Sequence, residues 1–250
     1  MEARLPLDNV LKIKNSTSEM RVRRKVTLRD LQSLIGLLNF ACCVVQPGRT
    51  FLCKLIDRTK GIQQPHVHIR LNKESPLDIE AWLLFIDDFN SKTVLLKQIW
   101  ISTNKLHLCT DAAGSLGFGA IFESDWFYGS WNELVKDYPI TYKELCPIVV
   151  SIEGWGSQLA NTCVVFHSDN MAVVYIINKQ TSKDPHIMRL VRRIVVACTK
   201  YNILPKAVHI QGHKNALADL LSRFRFQEFR KRVPFIHDHL TTVHPKFLVI

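Results

Sequence analysis

The apolar residues of the first ninety positions recur at the spacing of α-helices. A period near 3.6 is carried by Leu28, Leu31, Leu34, Ile35, Leu38 and Phe40. Thr27 precedes this run and can cap the helix, and Pro47-Gly48 stops it. We predict two further helices, Thr50 to Lys60 and Pro76 to Phe89. Residues 1–100 are therefore expected to form a small helical region.

From residue 105 the pattern changes to short apolar or alternating runs separated by tight turns, which favours strands. The predicted strands are Lys105–Asp111, Gly117–Glu123, Trp126–Trp131, 162–168 and Ala207–Gln211. The predicted helices are 141–157, 170–178, 185–201 and one that is capped by Asn215 and runs past Arg223. This order predicts an α/β fold over residues 101–224, a mixed five-stranded sheet flanked by helices. Residues 225–250 have less pattern and are expected to be a C-terminal tail or contact segment.

Composition and charge narrow the class of protein. A chain of 250 residues with 47% hydrophobic and 22% charged residues is an ordinary globular protein. Lys and Arg number 33 against 22 Asp and Glu, a net charge of +11. That excess favours polyanionic partners such as nucleic acid.

The cysteines and the apolar runs indicate the compartment. Seven scattered cysteines without a CxxC pair are typical of reduced thiols in an intracellular protein, and they argue against a disulfide frame or a zinc site. No stretch of 18 apolar residues and no signal-peptide pattern occurs, so we expect no membrane association.

Four acidic residues are the candidates for chemistry. Asp111 and Asp169 each end an apolar run, and Glu144 and Asp219 lie near predicted helix starts. Ligands of α/β folds bind outside the carboxyl ends of strands. Clustered carboxylates repel one another unless a cation neutralises them, and hard divalent metals prefer oxygen ligands. The sequence thus indicates a divalent-metal site.

Each acid also has a purely structural interpretation. Asp often begins a turn or caps a helix, which suits Asp111 and Asp169. Thr141-x-x-Glu144 fits a capping box. Asp219 falls in the first turn of a helix, where the macrodipole favours an anion. Taken singly, the residues leave both interpretations open.

The order of the four acids resembles the type 1 ribonuclease H pattern over residues 105–223. The resemblance rests on Thr-Asp111-Ala-Ala-Gly114 with Gly117-Phe-Gly119-Ala, on Glu144, on Ser168-Asp169-Asn170, and on His213-x-Asn-x-x-Ala-Asp219-x-x-Ser-Arg223. The last block, with a histidine six residues before the acid, is the most discriminating.

The resemblance implies a metal-dependent endonuclease that hydrolyses the RNA strand of RNA–DNA hybrids. It implies two Mg²⁺ ions, for which Mn²⁺ can substitute, about 3.5–4 Å apart. Asp111 would bridge both ions, Glu144 and Asp169 would hold the one at the leaving group, and Asp219 the one at the nucleophile. His213 is expected to assist product release or proton transfer.

The resemblance also implies where the hybrid is contacted. Gly114, Ser115 and Asn170 are expected to contact ribose or phosphate, because backbone exposed at a glycine can be approached closely. The RNA strand would be recognised by shape, through its 2′-hydroxyl groups. A zinc pair of His209 and His213 is the competing interpretation, but the intervening Gly212 and loop break the one-turn helical spacing that such a pair needs.

A narrower resemblance covers most of the chain. Val26–Phe40, Pro47-Gly-Arg49 and Ala-Asp219-Leu-Leu-Ser-Arg223 are similar to retroelement reverse transcriptases, most of all those of DIRS-type retrotransposons. No Tyr-x-Asp-Asp polymerase motif is present, and Asp87-Asp88 lies in a helical setting. The resemblance implies that residues 1–100 are a thumb- or connection-like remnant, that the palm is missing, and that other parts of a polyprotein are partners.

Two points compete with the enzyme interpretation. Pro147 lies three residues after Glu144, where it predicts a later helix start or a distorted helix that misplaces the acid. The chain is alternatively an inactive remnant that binds nucleic acid without cutting it. Loss of any one acid would favour that alternative, and all four are present. A related DNA nuclease or transposase fits the His213 block less well.

Overall fold

The architecture is taken from a computed structural model, which describes residues 2–71, 74–88, 92–94, 99–102, 108–234 and 236. The chain divides into two compact units, Met1–Leu95 and Leu96–Ile250. Across the described ranges, no helix is both long enough and apolar enough to cross a membrane. All seven cysteines are free thiols, as the sequence predicts.

The first unit contains, over its described residues, four α-helices and one 3-10 helix. They are α1 (Leu7–Val22), α2 (Leu28–Ala41), the 3-10 helix Gln46–Phe51, α3 (Cys53–Thr59) and α4 (Ser75–Asp88). Predicted helices are confirmed at α2 and α4. The helix predicted from Thr50 to Lys60 is instead the end of the 3-10 helix followed by the shorter α3.

The start of α2 follows the sequence closely. The Thr27 side chain accepts a hydrogen bond from the backbone N–H of Asp30 at 3.1 Å, which satisfies one of the unpaired donors of the first turn. Leu28, Leu31, Leu34, Leu38 and Ala41 are buried. Phe40 belongs to the apolar run in the sequence, but it is 48% exposed because it lies off the face that carries the others.

Two features of this unit are not predicted by the sequence pattern. Helix α1 buries only Ile13, Thr17 and Met20, and three buried residues in a polar segment do not produce a recognisable helical pattern. Two short strand pairs also form, so the region is not purely helical. Strand β1 (Glu2–Arg4) pairs with β4 (Lys92–Val94), and β2 (Lys25–Thr27) pairs with β3 (His68–Arg70), both antiparallel.

The second unit has six described strands in two three-stranded sheets. They are β5 (Trp100–Ser102), β6 (Leu108–Ala112), β7 (Gly117–Phe122), β8 (Asp125–Ser130), β9 (Cys163–Ser168) and β10 (Leu204–His209). One sheet is antiparallel, in the order β6-β7-β8, and the other is parallel, in the order β10-β9-β5. The predicted mixed α/β class is confirmed. The single five-stranded sheet is not, and residues 103–107 between β5 and β6 lie outside the described ranges.

Five described α-helices accompany these sheets. They are α5 (Ile140–Trp155), α6 (Met171–Lys179), α7 (Pro185–Tyr201), α8 (Ala216–Ser222) and α9 (Phe226–Arg232). A 3-10 helix, Gly212–Asn215, precedes α8. The prediction that α8 runs past Arg223 is wrong, because Phe224 adopts a left-handed φ of 59° and turns the chain into α9.

Helix α5 settles two questions about Glu144. It begins at Ile140, so Thr141 lies inside the helix and the capping box is not formed. It also continues through Pro147 to Trp155. Pro147 has no N–H, so it gives no helical hydrogen bond to the carbonyl of Lys143, yet the helix neither starts later nor stops.

The start of the expected tail is packed against the rest of this unit. Phe229 is fully buried, and Val233 and Ile236 are nearly so. They join one hydrophobic cluster with Ile121, Trp126, Leu220 and Leu221. Residues 226–234 and 236 therefore behave as a contact segment, in which the spacing 229, 233 and 236 gives a short apolar face. Residues 237–250 lie outside the described ranges.

Candidate catalytic site

The four acids come from four different elements. Asp111 is the fourth residue of β6, and Asp169 directly follows β9. Glu144 is the fifth residue of α5, and Asp219 the fourth of α8. Asp111 is 9% exposed. The sequence thus predicts these elements correctly, and the strand that carries Asp111 extends one residue further than predicted, to Ala112.

The charges of these acids act on one another. Burial raises the pKa of Asp111 to about 6, and the carboxylates of Asp219 and Asp169 add to the rise. A hydrogen bond from Ser222 and the charge of Arg223 oppose it. Asp111, Asp169 and Asp219 are therefore close enough for their charges to interact.

Glu144 is perturbed more strongly and without opposition. Burial raises its pKa to about 9, and the carboxylates of Asp111 and Asp169 contribute to that rise. Through Asp111, all four acids form one electrostatically coupled group. Charge repulsion of this kind is what a bound cation relieves.

Asp111 is held in place from α8. Ser222 Oγ donates a hydrogen bond to Asp111 Oδ2 at 2.5 Å. Asn215 Nδ2 donates to the carbonyl of Thr110 at 2.7 Å and lies 3.4 Å from Asp111 Oδ1. Asn215 occupies the cap position of α8 but makes no side-chain capping bond, so its predicted role is corrected. Both residues stand in the block that begins at His213, and that block is the signal that points to them.

A glycine makes this contact between α8 and the sheet possible. Gly119 of β7 is the cross-strand partner of Asp111. A Cβ at Gly119 would collide with Leu221 Cβ and lie 3.2 Å from the backbone N of Ser222. No side chain fits there, so α8 approaches closely enough for Ser222 to reach Asp111.

Asp219 and Asp169 have different surroundings. Arg223 Nε donates to Asp219 Oδ1 at 2.6 Å across one helical turn. The Asp169 carbonyl accepts a hydrogen bond from His209 Nε2 at 3.1 Å, and a Cβ at Gly212 would lie 3.0 Å from Asp169 Oδ2. Within the described part of the chain, the carboxylate of Asp169, like that of Glu144, has no hydrogen-bond or ion-pair partner. Two of the four acids thus present free oxygens.

A buried lysine fixes the turn beside the acids. Lys143 is 4% exposed, and its Nζ donates to the carbonyl of Gly114 at 2.6 Å and to that of Lys136 at 2.5 Å. Trp131 Nε1 donates to the carbonyl of Ala113 at 2.7 Å, and its ring lies 5.9 Å from Lys143 Nζ. The sequence pattern did not predict these contacts of Lys143 and Trp131. The one indication in the sequence is that a lysine directly precedes Glu144.

The residues expected to contact the substrate differ in how many of their polar groups are available to it. Gly114 and Ser115 are exposed in the turn that Lys143 holds. Asn170 caps α6, because its Oδ1 accepts from the N–H groups of Ala172 and Val173 at 3.0 and 3.4 Å. Its side-chain amide therefore has only the N–H₂ left for substrate.

Two metal-related predictions meet the structure here. The backbone of His213 lies in the 3-10 helix before α8, and its side chain is outside what the structure describes. In the part of the chain that can be inspected, no three His, Cys, Asp or Glu side chains are already arranged to hold a metal ion. The four acids are therefore coupled through space but are not drawn together on one point.

Comparisons with known proteins add little to this geometry. No protein-family model matches the chain, and no curated protein does. Among solved structures, a foamy viral protease-reverse transcriptase in complex with double-stranded DNA is similar, at 13% identity and a TM-score of 0.31. The match covers 83% of this chain and 35% of that one, so the chain spans about a third of its length.

The fold and the candidate site together indicate which ligands could bind here. The second unit is a mixed α/β unit whose strand and helix ends bring four carboxylates into one coupled, partly buried group. Carboxylate oxygens are the ligands that hard divalent cations prefer.

Proposed function

We propose that the chain is a metal-dependent endonuclease of the ribonuclease H type, which hydrolyses the RNA strand of RNA–DNA hybrids as part of a retroelement reverse transcriptase polyprotein. The observation that carries the proposal is the coupling of Asp111, Glu144, Asp169 and Asp219, in that chain order, on strand, helix, strand and helix. The order matches the ribonuclease H motif, and the coupling is what that motif requires.

The donor set fits magnesium. Ser222 and Asn215 hold Asp111 in place, and among the described residues the carboxylates of Glu144 and Asp169 have no hydrogen-bond or ion-pair partner. Burial is the main cause of the raised pKa values of Asp111 and Glu144, and the neighbouring carboxylates add to the rise. A bound cation would offset that second contribution.

The chain's own residues then have distinct tasks. Two bound metal ions would supply an activated water and stabilise the leaving 3′ oxygen. Glu144 and Asp169 would hold the ion that stabilises the leaving oxygen, Asp219 the ion that activates the water, and Asp111 would help to hold both. Arg223 pairs with Asp219, and the turn at Gly114–Ser115, fixed by Lys143, would offer backbone groups to the RNA strand.

The proposal includes the sheet. We propose that the antiparallel strands β6-β7-β8 and the parallel strands β10-β9-β5 belong to one mixed sheet, which is the arrangement that the ribonuclease H resemblance implies.

Cleavage of a labelled substrate tests the activity. A duplex with labelled RNA paired to DNA is incubated with the full chain and Mg²⁺, beside the same RNA paired to RNA. We expect cleavage of the RNA in the hybrid only, abolished by EDTA and by Asp169→Asn. Equal survival of the hybrid with wild type and Asp169→Asn would contradict the enzyme proposal. Cleavage that resists EDTA would contradict the metal mechanism instead.

The alternative is an inactive module that binds nucleic acid. It is favoured if the wild-type chain binds the hybrid and leaves it intact at every Mg²⁺ and Mn²⁺ concentration. The presence of all four acids, together with the two residues that orient Asp111, is the reason to prefer the enzyme.

A further inference from the structure

A dense group of basic residues follows the last helix of the candidate site. Residues 223–232 contain five basic residues and one acid, Glu228, a net charge of +4. We call these five the basic stripe: Arg223, Arg225, Arg230, Lys231 and Arg232. The net charge of this segment is more than a third of the +11 that the whole chain carries.

The helix that carries the stripe is anchored. Phe229 of α9 is fully buried, and Val233 follows it into the same cluster as Trp126 and Leu221. On either side of Phe229, Arg225, Lys231 and Arg232 are exposed. Because the backbone is already fixed, a ligand of these side chains has less conformational entropy to remove.

Two guanidinium groups of the stripe share one carboxylate. Arg232 Nη2 donates to Glu228 Oε1 at 3.0 Å, and Arg225 Nη2 pairs with the other oxygen, Oε2. The side chains of Arg225 and Arg232 remain 56% and 48% exposed. One carboxylate cannot neutralise two guanidinium groups. Each planar fork keeps N–H groups that suit the bidentate recognition of phosphate.

Aromatic rings lie directly beside the charges. The Arg230 guanidinium lies 5.1 Å from the ring centre of Trp126, and Tyr128 stacks on Trp126 with centres 6.1 Å apart. Tyr128 is 36% exposed. Trp126 is 4% exposed, so its ring helps to hold the Arg230 guanidinium in place and is not itself a surface for bases.

The stripe begins at the candidate site itself, because Arg223 forms the ion pair with Asp219. We propose that the basic stripe binds the phosphodiester backbone of the hybrid next to the bond that is cut. The inference rests on the proposed function for the identity of the ligand. The contacts are to phosphates, so this surface supplies affinity and position and not sequence preference.

Salt-dependent binding tests the surface apart from cleavage. A fluorescein-labelled RNA–DNA hybrid is titrated by anisotropy in an Asp169→Asn background with EDTA, over a series of KCl concentrations. The variant is Arg225→Gln/Arg232→Gln. The control is Lys179→Gln/Lys200→Gln, which removes two exposed charges from the last turns of α6 and α7. We expect the stripe variant to reduce the slope of log K against log salt by about 2, and the control to leave it unchanged.

A second variant changes the charge in the other direction. Glu228→Gln removes the carboxylate that competes with phosphate for Arg225 and Arg232, so we expect tighter binding and a steeper slope. Circular dichroism melts verify that each variant folds, and either variant alone decides the question if the other fails to fold. Equal affinity and slope for stripe variant, control and background would overturn the proposal. Stripe-dependent binding without cleavage by the unmutated chain would overturn the nuclease activity and leave this surface standing.

Discussion

At Glu144, burial and two neighbouring carboxylates act in the same direction. Both favour the protonated form, and the pKa rises to about 9. Asp111 is also buried, but the hydrogen bond from Ser222 favours its charged form, and its pKa rises only to about 6. Near neutral pH without metal, Glu144 therefore holds a proton while Asp111 is mostly charged.

This difference predicts how stability depends on pH. The folded state binds the Glu144 proton more tightly than the unfolded state does, so the free energy of unfolding falls as pH rises from about 4.5 to about 9. Glu144→Gln removes the titrating group. With EDTA present, we expect its melting temperature to exceed that of wild type at pH 8 and to match it at pH 4.5. About 1 kcal/mol corresponds to about 2–4 °C in a chain of this size.

The control for this melt is Glu133→Gln. Its side chain is 87% exposed, so the substitution should leave the pH profile of the wild type unchanged. Parallel profiles for wild type and Glu144→Gln would show that Glu144 is not in a perturbed environment.

Between elements, α8 and β7 approach each other closely at Gly119. A methyl group there would collide with Leu221 Cβ and lie 3.2 Å from the backbone of Ser222. Gly119→Ala should displace α8, loosen the hydrogen bond to Asp111, and lower the free energy of unfolding by about 1–3 kcal/mol, as overpacking does. Urea denaturation measures the stability, and the hybrid assay measures the accompanying loss of cleavage.

Gly154→Ala is the matched control for this substitution. Gly154 lies in α5, where an added methyl group would meet no atom within 4 Å, so alanine there should stabilise the helix by about 0.5–1 kcal/mol. A Gly119→Ala protein as stable and active as the wild type would disprove the close-approach argument.

The contact of α5 with the β6–β7 turn depends on Lys143. Lys143→Met keeps much of the apolar stem but leaves the carbonyls of Gly114 and Lys136 without this donor. We expect a loss of about 2 kcal/mol in urea denaturation, since unsatisfied buried groups cost about 1–3 kcal/mol. A higher KM for the hybrid should accompany it, because the Gly114–Ser115 turn loses its support. Lys136→Met, at a side chain 55% exposed, should change stability by less than about 0.5 kcal/mol.

For the whole molecule, metal binding and folding should be linked. A cation that binds the coupled acids of the folded state stabilises it by about 2.7 kcal/mol at a hundred times its Kd. We expect the melting temperature of the wild type to rise with Mg²⁺ and that of Asp111→Asn to rise much less, as measured by scanning calorimetry. Equal Mg²⁺ shifts in both proteins would place the ion elsewhere.

The sequence by itself predicted most elements of the second unit and selected the four acids as the candidate site. The periodicity of α2, the Thr27 cap and the strands of the β6-β7-β8 meander depend on contacts between near neighbours, so the pattern predicts them correctly. Prediction from near neighbours fails at Phe224, because the sequence pattern does not indicate its left-handed backbone. It also fails for α1, which buries only three side chains.

The tertiary structure decided what these residues do to one another. Thr141-x-x-Glu144 has the spacing of a capping box, but α5 already begins at Ile140, so no capping bond forms. Asn215 lies at a helix cap position, but its side chain turns to Asp111 and makes no capping bond. The perturbed charge of Glu144, the close approach at Gly119 and the Lys143 contacts all depend on residues that are distant along the chain. The bond from Lys143 to Gly114 spans 29 positions, and the bond from Ser222 to Asp111 spans 111. Burial and long-range contact set these energies, and neither can be read from the spacing of residues along the chain.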